Sequence, residues 1–375
     1  MKNICFVATI PDVVHSFLKG YIRAAAEKWS VKIIANFSGA ELLGDLSAQF
    51  IPLVIKRKIS PWHDLLALIQ LTILFRRERF DLVHSIMPKT GLLAMLAGWL
   101  AGVPIRMHTF TGQVWANRRG WKRVALKMFD KLTVMFATHI LVDSPSQRDF
   151  LLSEGVLKVG KGIVLGHGSI CGVSAERFHP NVKISRTIRA ELNITPGQTV
   201  ILFLGRLSHD KGILDLAAAF ADIASRRNDV VLVLVGAEED VSFTRVQEIC
   251  VDYRDHLRRV SFTPYPENYM AAADIFCLPS YREGFGQVII EAGASGVPTV
   301  ASRIYGITDA VEDGKTGLLF SMGNIAALTE NLLTLIQDQA LRKKMGQAAR
   351  LRTLELFSSE KITGELIELY EKVMA

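Results

Sequence analysis

The 375-residue chain has few cysteines, and none of them lies at a spacing that binds metals. They are far apart and none belongs to a Cys-x-x-Cys motif: Cys5, Cys171, Cys250 and Cys277. Isolated cysteines of this kind are typical of reduced, buried thiols in the cytosol. The pattern therefore argues against disulfides and against a zinc site.

Long apolar runs are missing as well. The most hydrophobic windows, Leu65–Phe75 and Gly91–Val103, are shorter than the roughly 20 residues that a membrane-spanning helix needs. Met1–Ile10 is typical of a strand, and it lacks the basic segment and cleavage site of a secretion signal. We therefore expect a cytoplasmic protein that is soluble or lies on a membrane surface and does not cross the membrane.

Several motif classes are also absent. The chain contains no Walker phosphate loop and no helix-turn-helix, RNA-recognition or zinc-finger pattern. It nevertheless has 44 basic and 37 acidic side chains, a net charge of +7. This charge favours anionic partners, among them nucleotide-sugar phosphates and an anionic lipid surface, while nucleic acid has no motif to support it.

The chain does contain two successive series of apolar runs that alternate with longer helical segments. The predicted strands are Asn3–Ala8, Val31–Ala35, Asp81–Ser85 and Ile105–Thr109 in the first half, and Thr199–Leu204, Val230–Gly236, Arg259–Phe262, Ile275–Leu278 and Thr299–Ala301 in the second. Strands separated by helices need crossover connections, which produce parallel sheets. We predict an α/β fold of two Rossmann-like, doubly wound domains facing each other across a cleft, where such sheets bind ligands.

Polar residues and two prolines, Pro180 and Pro196, mark the division between the halves. We place the first domain at residues 1–180 and the second at residues 181–357. A last helix within residues 358–375 either packs separately or crosses back to the first domain.

The segment Leu204-Gly-Arg-Leu-Ser-His-Asp-Lys-Gly212 joins a predicted apolar strand to a predicted helix. Gly205 permits close backbone approach, and Arg206 and Lys211 bring two cations to the end of the strand. A guanidinium and an ammonium together suit a diphosphate. A solvated basic loop is the alternative, but the position after a parallel strand favours phosphate binding.

A second candidate segment is Glu283-Gly-Phe-Gly-Gln-Val-Ile-Ile-Glu291. Gly284 and Gly286 leave the amides of the predicted helix start open to an anion. Glu283 can then accept hydrogen bonds from hydroxyls beside the phosphate, and Glu291, about one turn into the helix, can bind a ribose diol. The alternatives are a dipole-stabilising role for Glu283 and a surface charge for Glu291, but the apolar neighbours of Glu291 favour a buried carboxylate.

These segments resemble the signatures of a known family. The Glu-x7-Glu segment and the following Ala292-Gly-Ala-Ser-Gly-Val-Pro-Thr-Val-Ala-Ser302 are similar to the signature of retaining glycosyltransferases of family 4, which have the GT-B fold. Gly205–Gly212 resembles the second signature of that family, and Glu312–Leu319 resembles the third. Gly166–Phe178 resembles the segment that ends the first domain, so the resemblance extends over nearly the whole chain.

The resemblance implies a role for individual residues. Arg206 and Lys211 hold the donor diphosphate, and Glu291 holds the ribose. The transferred sugar and the phosphates contact four residues of the second segment: Glu283, Gly284, Phe285 and Gly286. The expected donor is a nucleotide sugar, with UDP as its nucleotide.

His108 is the candidate from the first half, because it corresponds to a family histidine near the donor sugar. With Glu283 it forms the predicted catalytic pair, whereas a backbone-bonding loop histidine is the alternative. His84 also ends a predicted strand and is a weaker candidate.

No Asp-x-Asp motif ends a strand convincingly, and Glu238-Glu-Asp240 is interpreted as an acidic surface loop. Two cations and helix-start amides can stabilise the leaving group in place of a metal ion. We therefore expect neither a metal nor a cofactor. The resemblance implies retention of anomeric configuration.

Basic and aromatic residues occur together in two further stretches. Trp115–Phe129 interleaves cations with two tryptophans, and Lys56-Arg57-Lys58 precedes Trp62 and an apolar helix. The combination suits an anionic membrane surface, the diphosphate of a polyprenyl-linked acceptor, or the solvated faces of ordinary helices. His108–Trp115 resembles a segment of bacterial transferases that extend undecaprenyl-diphosphate sugars in O-antigen, capsule or glycoprotein assembly, which favours a lipid-linked acceptor.

The sequence thus predicts a retaining, metal-independent glycosyltransferase on the inner face of the cytoplasmic membrane. It moves a hexose or N-acetylhexosamine from a UDP-sugar to a polyprenyl-diphosphate-linked saccharide. The alternatives are a glycosyltransferase with a soluble acceptor and a catalytically silent sugar-nucleotide-binding protein.

Overall fold

The computed structural model describes residues 1–9, 11–37, 46–56 and 59–375. The chain forms two compact units, the first made of Met1–Gly172 and Ser359–Ala375 and the second of Val173–Ser358. Each unit contains a six-stranded parallel sheet with flanking helices. The predicted α/β class with two doubly wound sheets is confirmed.

The sheet of the first unit has the strand order β3-β2-β1-β4-β5-β6. Its strands are β1 (Asn3–Val7), β2 (Ser30–Ala35), β3 (Gln49–Pro52), β4 (Leu82–Ile86), β5 (Ile105–Phe110) and β6 (His139–Val142). The helices before α7 are α1 (Pro11–Val13), α2 (Lys19–Ala26), α3 (Pro61–Glu78), α4 (Pro88–Ala101), α5 (Gly120–Phe136) and α6 (Pro145–Ser153), with a π-helical turn at Val14–Leu18. The connections through α3, α4 and α5 all run in the same direction across the sheet, so right-handed crossovers place these helices on one face.

The sheet of the second unit has the order β12-β11-β10-β7-β8-β9. Its strands are β7 (Thr199–Leu204), β8 (Val230–Val235), β9 (Leu257–Val260), β10 (Ile275–Leu278), β11 (Thr299–Ser302) and β12 (Gly317–Phe320). Its helices are α7 (Val182–Glu191), α8 (Ile213–Arg226), α9 (Phe243–Ile249), α10 (Pro266–Ala272), α11 (Gln287–Ala294), α12 (Ile307–Ala310), α13 (Ile325–Gln337) and α14 (Gln339–Leu356). The strand order reverses between the paired strands β7 and β10, so the turns after these two strands are neighbours at the carboxyl edge of the sheet.

The last helix, α15 (Ser359–Met374), belongs to the core of the first unit. Tyr370 is fully buried there, and its hydroxyl lies 2.5 Å from Nδ1 of His84 on β4. The predicted boundary at residue 180 lies later in the chain than the observed division after Gly172. The reason is that Val173 packs with the second unit, where its amide donates to the carbonyl of Phe357 at 2.8 Å.

Sequence patterns miss three strands and misplace a fourth. The missed strands, β3, β6 and β12, have four residues each and lie at the edges of their sheets. The predicted strand Arg259–Phe262 is observed as Leu257–Val260, because pairing with β8 begins at Leu257 and Phe262 is 71 % exposed.

Two further expectations concern disulfides and membrane-spanning helices. None of the four cysteines forms a disulfide, and three of them are buried while Cys171 is partly buried. None of the helices within the described ranges combines the length and the apolar character that a membrane-spanning helix requires.

Candidate functional site

The two candidate segments of the second unit lie against each other. Gly212 adopts a left-handed conformation with φ of 68°, and a Cβ atom there would lie 2.0 Å from the carbonyl oxygen of Pro279. The amide of Tyr281 donates to the carbonyl of Asp210 at 2.9 Å, and Arg282 forms an ion pair with the Asp210 carboxylate at 2.8 Å. The turn after β7 and the turn after β10 therefore form one structure, in which only glycine fits at position 212.

Lys211 and Glu283 form the centre of this structure. The ammonium of Lys211 lies 2.5 Å from Oε1 of Glu283, and Oγ of Ser280 donates to the same oxygen at 2.8 Å. The two side chains are only 19 % and 12 % exposed, so the pair is largely shielded from water. An ammonium has three N–H donors, and Lys211 can bind an anion while it keeps Glu283 as a partner.

Arg206 takes part in a different ion pair. Its guanidinium is paired with Glu239, which follows β8, in an ion pair whose side chains are 43 % and 36 % exposed. The same turn after β8 supplies Asp240, whose carboxylate accepts from the amide of His209 at 3.0 Å. The acidic segment 238–240 is thus attached to the turn after β7. The interpretation as an acidic surface loop missed this role, although three acidic residues shortly after a strand were a signal.

The turn after β11 packs onto the second segment. Gly306 has φ of 82°, and a Cβ atom there would lie 2.4 Å from the carbonyl oxygen of Gly284. Phe285 is buried, with its ring 5.2 Å from that of Phe357, so its side chain anchors the segment in the core. Helix α11 then begins at Gln287. The predicted helix start after Gly286 is confirmed, and its amides are the predicted anion site.

Glu291 lies one turn into α11 and is partly buried. Burial raises the pKa of its carboxyl group to about 7, while the charge of Arg177 and a hydrogen bond from Gln287 act in the opposite direction. Arg177 is itself held by an ion pair with Glu267 on α10 at 2.8 Å. The environment of Glu291 therefore resembles a partly shielded binding position more than an ordinary surface charge.

His108 lies on β5 in the interior of the first unit. Its Nδ1 is 2.9 Å from Oγ of Ser85, and its ring meets the edge of Phe110 at 4.7 Å. Gly91 touches the ring so closely that a Cβ atom there would lie 2.4 Å from Cε1. Nε2 is buried without a hydrogen-bond partner among the described residues, and burial lowers the pKa of the ring to about 3. His108 is therefore neutral and enclosed, and its catalytic role stays a prediction.

His84 uses both ring nitrogens for structure. Nδ1 pairs with Tyr370 of α15, and Nε2 lies 2.7 Å from Oγ1 of Thr109. Burial, together with the nearby His108, lowers the pKa of His84 to about 3. This weaker candidate is a neutral link between β4, β5 and the C-terminal helix.

The basic and aromatic stretch 115–129 divides into a buried and an exposed part. Trp115 is fully buried and donates from Nε1 to Oδ2 of Asp130 at 2.7 Å, and burial raises the pKa of this carboxyl group to about 7. Arg123 and Lys127 are held by Glu154, at 2.6 and 2.7 Å. Trp115 is thus internal, and Arg123 and Lys127 are partly buried and paired with a carboxylate. The membrane-surface, acceptor-diphosphate and solvated-face interpretations of the stretch stay predictions. Of the basic segment 56–58, residues 57 and 58 lie outside the described residues.

Within the described ranges no group of three or more histidine, cysteine, aspartate or glutamate side chains is arranged to hold a metal ion. The predicted metal independence stays a prediction.

Comparison with family models shows which proteins this chain is similar to. Residues 184–352 match the model of the glycosyl transferases group 1, and residues 22–160 match the glycosyl transferase 4-like domain. The chain is 32 % identical over 376 residues to the capsular polysaccharide biosynthesis glycosyltransferase CapM of Staphylococcus aureus, covering 99 % of this chain and 97 % of that protein. It is 27 % identical over 353 residues to the UDP-Gal:alpha-D-GlcNAc-diphosphoundecaprenol alpha-1,3-galactosyltransferase of Escherichia coli, covering 92 % and 89 %.

Solved structures resemble the chain over its full length. HepE of Anabaena in complex with UDP and glucose has a TM-score of 0.83 at 19 % identity and covers 99 % of this chain and 100 % of that one. Sucrose-phosphate synthase of Thermosynechococcus elongatus has a TM-score of 0.81 at 23 % identity, covering 100 % and 99 %. At these identities the similarity establishes the fold.

Proposed function

Because the chain belongs to the group 1 glycosyltransferases and has the GT-B fold, we propose that it is a retaining, metal-independent glycosyltransferase. It transfers a hexose or N-acetylhexosamine from a UDP-sugar to a polyprenyl-diphosphate-linked saccharide. The observation that carries this proposal is the contact between Lys211 and Glu283 at 2.5 Å. It joins a cation and a carboxylate from two separate turns where a doubly wound sheet binds ligands.

The donor is held by the carboxyl edge of the second sheet. Lys211 and the amides of Gly284, Phe285 and Gly286 bind the diphosphate, and Glu291 accepts hydrogen bonds from the ribose hydroxyls. Arg206 adds a second cation by exchanging Glu239 for a phosphate. Because that ion pair is more than one third exposed, the exchange has a low energetic cost. The fold relative HepE, whose structure contains UDP and glucose, supports a donor of this class.

The chemical step breaks the bond between the anomeric carbon and the phosphate oxygen, and its electron pair goes to the departing UDP. Lys211, Arg206 and the helix-start amides stabilise the negative charge that develops there. The acceptor hydroxyl forms the new bond on the same face of the sugar and gives its proton to the leaving phosphate oxygen. Glu283 orients the sugar through its hydroxyls. Lys211 and Arg206 provide the positive charge that a metal ion would otherwise supply.

His108 is the catalytic candidate of the first unit. Its Nε2 has no partner among the described residues, so this atom can form a hydrogen bond with the donor sugar once it becomes accessible. A neutral ring suits a hydrogen-bonding role and not that of a cation.

The acceptor proposal rests on the named relatives. The Escherichia coli relative acts on a saccharide linked to diphosphoundecaprenol, and the Staphylococcus aureus relative belongs to capsular polysaccharide biosynthesis. By analogy this chain extends a lipid-linked saccharide in surface-polysaccharide assembly, such as O-antigen or capsule, as a peripheral protein on the inner face of the cytoplasmic membrane.

The proposal is tested by thermal unfolding with a panel of nucleotide sugars in the presence of EDTA, followed by UDP-release assays. We expect stabilisation by one UDP-sugar despite the chelator, and UDP release with lipid-linked saccharide but not with free sugars. Release with free sugars would indicate a soluble acceptor. Binding without release on any acceptor would indicate a silent sugar-nucleotide-binding protein, and no stabilisation by any nucleotide sugar would refute the donor site.

A further inference from the structure

Helix α3 of the first unit carries a stripe of large apolar side chains that faces solvent. Its members are between 47 % and 79 % exposed: Trp62, Leu65, Leu66, Ile69 and Ile73. Their spacing of three or four residues, repeated along the helix, puts them on one side. The opposite side, with Leu71 and Phe75, is buried against the sheet. The outward stripe therefore has no partner among the residues of the first unit that the structure describes.

Helix α5 carries a second stripe of the same kind. Its apolar members are between 50 % and 75 % exposed: Trp121, Val124, Met128 and Met135. Exposed Lys131 lies on the same side of the helix, one turn after Met128. The inward side contains the buried Asp130 and Thr133.

The two stripes belong to one layer. Helix α3 packs against α4, and α4 packs against α5, on the same face of the first sheet. Between them the last turn of α4 carries Trp99 and Leu100, which are 54 % and 41 % exposed. We call the outward surface formed by the two stripes and these two residues the α3–α5 face. A contiguous apolar surface of this kind marks an interaction site.

Only basic side chains are exposed among the lysine, arginine, aspartate and glutamate residues of these three helices. The exposed charged side chains are basic: Arg76, Arg77, Lys122 and Lys131. The helices contain three acidic residues, and none is exposed: Asp64 is paired with Lys89, Glu78 is paired with Lys32, and Asp130 accepts from Trp115. Exposed Arg118 and Arg119 directly precede α5. The α3–α5 face is thus apolar and cationic.

From this combination we infer that the α3–α5 face docks the protein on an anionic lipid bilayer, with α3 and α5 lying in the plane of the interface. Apolar side chains enter the boundary of the acyl chains, tryptophans lie at the level of the headgroups, and lysine and arginine meet anionic phosphates. A second copy of the chain is a poorer occupant, because two such faces would bring like charges together. This inference deepens the proposed function and rests on it, because the lipid-linked acceptor is the reason for the protein to bind a bilayer.

The first test measures binding to vesicles of phosphatidylglycerol and phosphatidylethanolamine by flotation. The variant Leu66→Glu/Val124→Glu places a carboxylate in each stripe. We expect its affinity to fall about tenfold or more relative to the unaltered protein, because apolar burial is lost and anionic headgroups repel the new charges. The matched control is Leu351→Glu/Val182→Glu, which changes two side chains of the second unit that are 70 % and 68 % exposed. The control should bind as the unaltered protein does.

A second pair of variants isolates the charge. Lys122→Gln/Lys131→Gln should weaken binding to phosphatidylglycerol vesicles by roughly tenfold and leave the weaker binding to phosphatidylcholine vesicles unchanged. The control Lys343→Gln/Lys344→Gln removes two exposed lysines of α14 and should have no effect. If the glutamate variant fails to fold in a thermal scan, the lysine pair decides the question.

Vesicle binding is measured without nucleotide, and UDP affinity is measured without lipid, so the two proposals can fail separately. Absence of vesicle binding by the unaltered protein, or equal binding by the variants and their controls, would overturn the docking inference. It would also be overturned if the protein without lipid is a dimer that Leu66→Glu/Val124→Glu converts to a monomer, since a second copy then covers the face. If the unaltered protein does not bind UDP, the proposed function is refuted instead.

Discussion

The ammonium of Lys211 and the carboxylate of Glu283 lie 2.5 Å apart, although 72 positions separate them in the chain. Their contact joins the turn after β7 to the turn after β10 at the point where the strand order reverses. Because both side chains are largely shielded, an anion that binds there meets an ammonium whose position is already fixed. This preorganisation is what transition-state stabilisation of a departing diphosphate requires.

Lys211→Met should lower kcat with the UDP-sugar by roughly 100-fold or more, because the leaving phosphate loses a preorganised cation. It should also weaken UDP binding, as measured by titration calorimetry. Lys315→Met is the matched control, since Lys315 forms an exposed ion pair with Glu312 in the same unit. Unchanged UDP affinity in Lys211→Met would show that the diphosphate binds elsewhere.

The Arg206–Glu239 pair predicts opposite effects for its two members. Arg206→Glu should weaken UDP-sugar binding by roughly tenfold or more, through loss of a cation and gain of a repelling charge. Glu239→Gln should strengthen UDP binding, because Arg206 no longer has to leave a carboxylate. Arg245→Glu, at an exposed ion pair on α9, is the control for charge reversal. UDP-sugar affinity unaffected by Arg206→Glu would contradict the site.

Glu291 predicts a pH dependence of both stability and binding. Its pKa is about 7 in the folded protein against an ordinary value of 4.5. Between these pH values the folded state holds a proton that the unfolded state has lost, so the free energy of unfolding falls as pH rises through this range. Glu291→Gln should make that slope shallower in thermal unfolding and leave the contribution of Asp130, whose pKa is also about 7, while Glu330→Gln, at an exposed position on α13, should keep the full slope.

UDP binding should respond in the other direction. The ribose hydroxyls donate to the carboxylate, so UDP affinity should rise as pH increases through about 7 and Glu291 ionises. Titrations of Glu291→Gln should show weaker binding without this rise. A rise that persists in the variant would assign the titration to another group.

Tyr370→Phe should loosen the C-terminal helix. The change removes the hydrogen-bond partner of Nδ1 of His84, which is a buried atom. The free energy of unfolding should therefore fall by about 1–3 kcal/mol. Hydrogen exchange of the α15 amides should accelerate accordingly. Tyr265→Phe, at a side chain that is 60 % exposed, should leave the exchange of α15 as it is. Equal exchange in both variants would mean that apolar contacts alone hold α15.

His108→Gln separates a catalytic from a structural histidine. If Nε2 acts on the donor sugar, kcat should fall by about 100-fold or more, with donor affinity nearly unchanged. If the ring only fills the space beside Gly91, the variant should unfold at lower temperature and keep the kcat of the folded fraction. The latter result would remove His108 from the catalytic site.

The sequence is most informative where the chain is buried on both sides. The apolar runs of β7 and β8 predict central parallel strands, and the two segments that follow β7 and β10 become neighbours as expected. Strand direction alone predicts that Lys211 and Glu283 share an edge of the sheet. It does not predict that Arg206 pairs with Glu239, because that depends on which rotamer a long side chain adopts.

Side-chain burial is the part that sequence patterns miss. A position near the end of a strand does not tell whether His108 points to the ligand edge or into the core, and close packing by Gly91 decides it. Trp115 and Trp121 have similar basic neighbours, yet the first is fully buried and the second is 75 % exposed. Only the partner across the fold, Asp130 in the case of Trp115, distinguishes them.

The most direct test of the central claim is NMR of the product formed from an α-configured UDP-sugar and a polyprenyl-diphosphate-linked saccharide, with EDTA present. We predict a single new α-glycosidic linkage, formed at the same rate with and without the chelator. A β-linked product would contradict retention of configuration, transfer that stops with EDTA would contradict metal independence, and no transfer to the lipid-linked acceptor would contradict the proposed function.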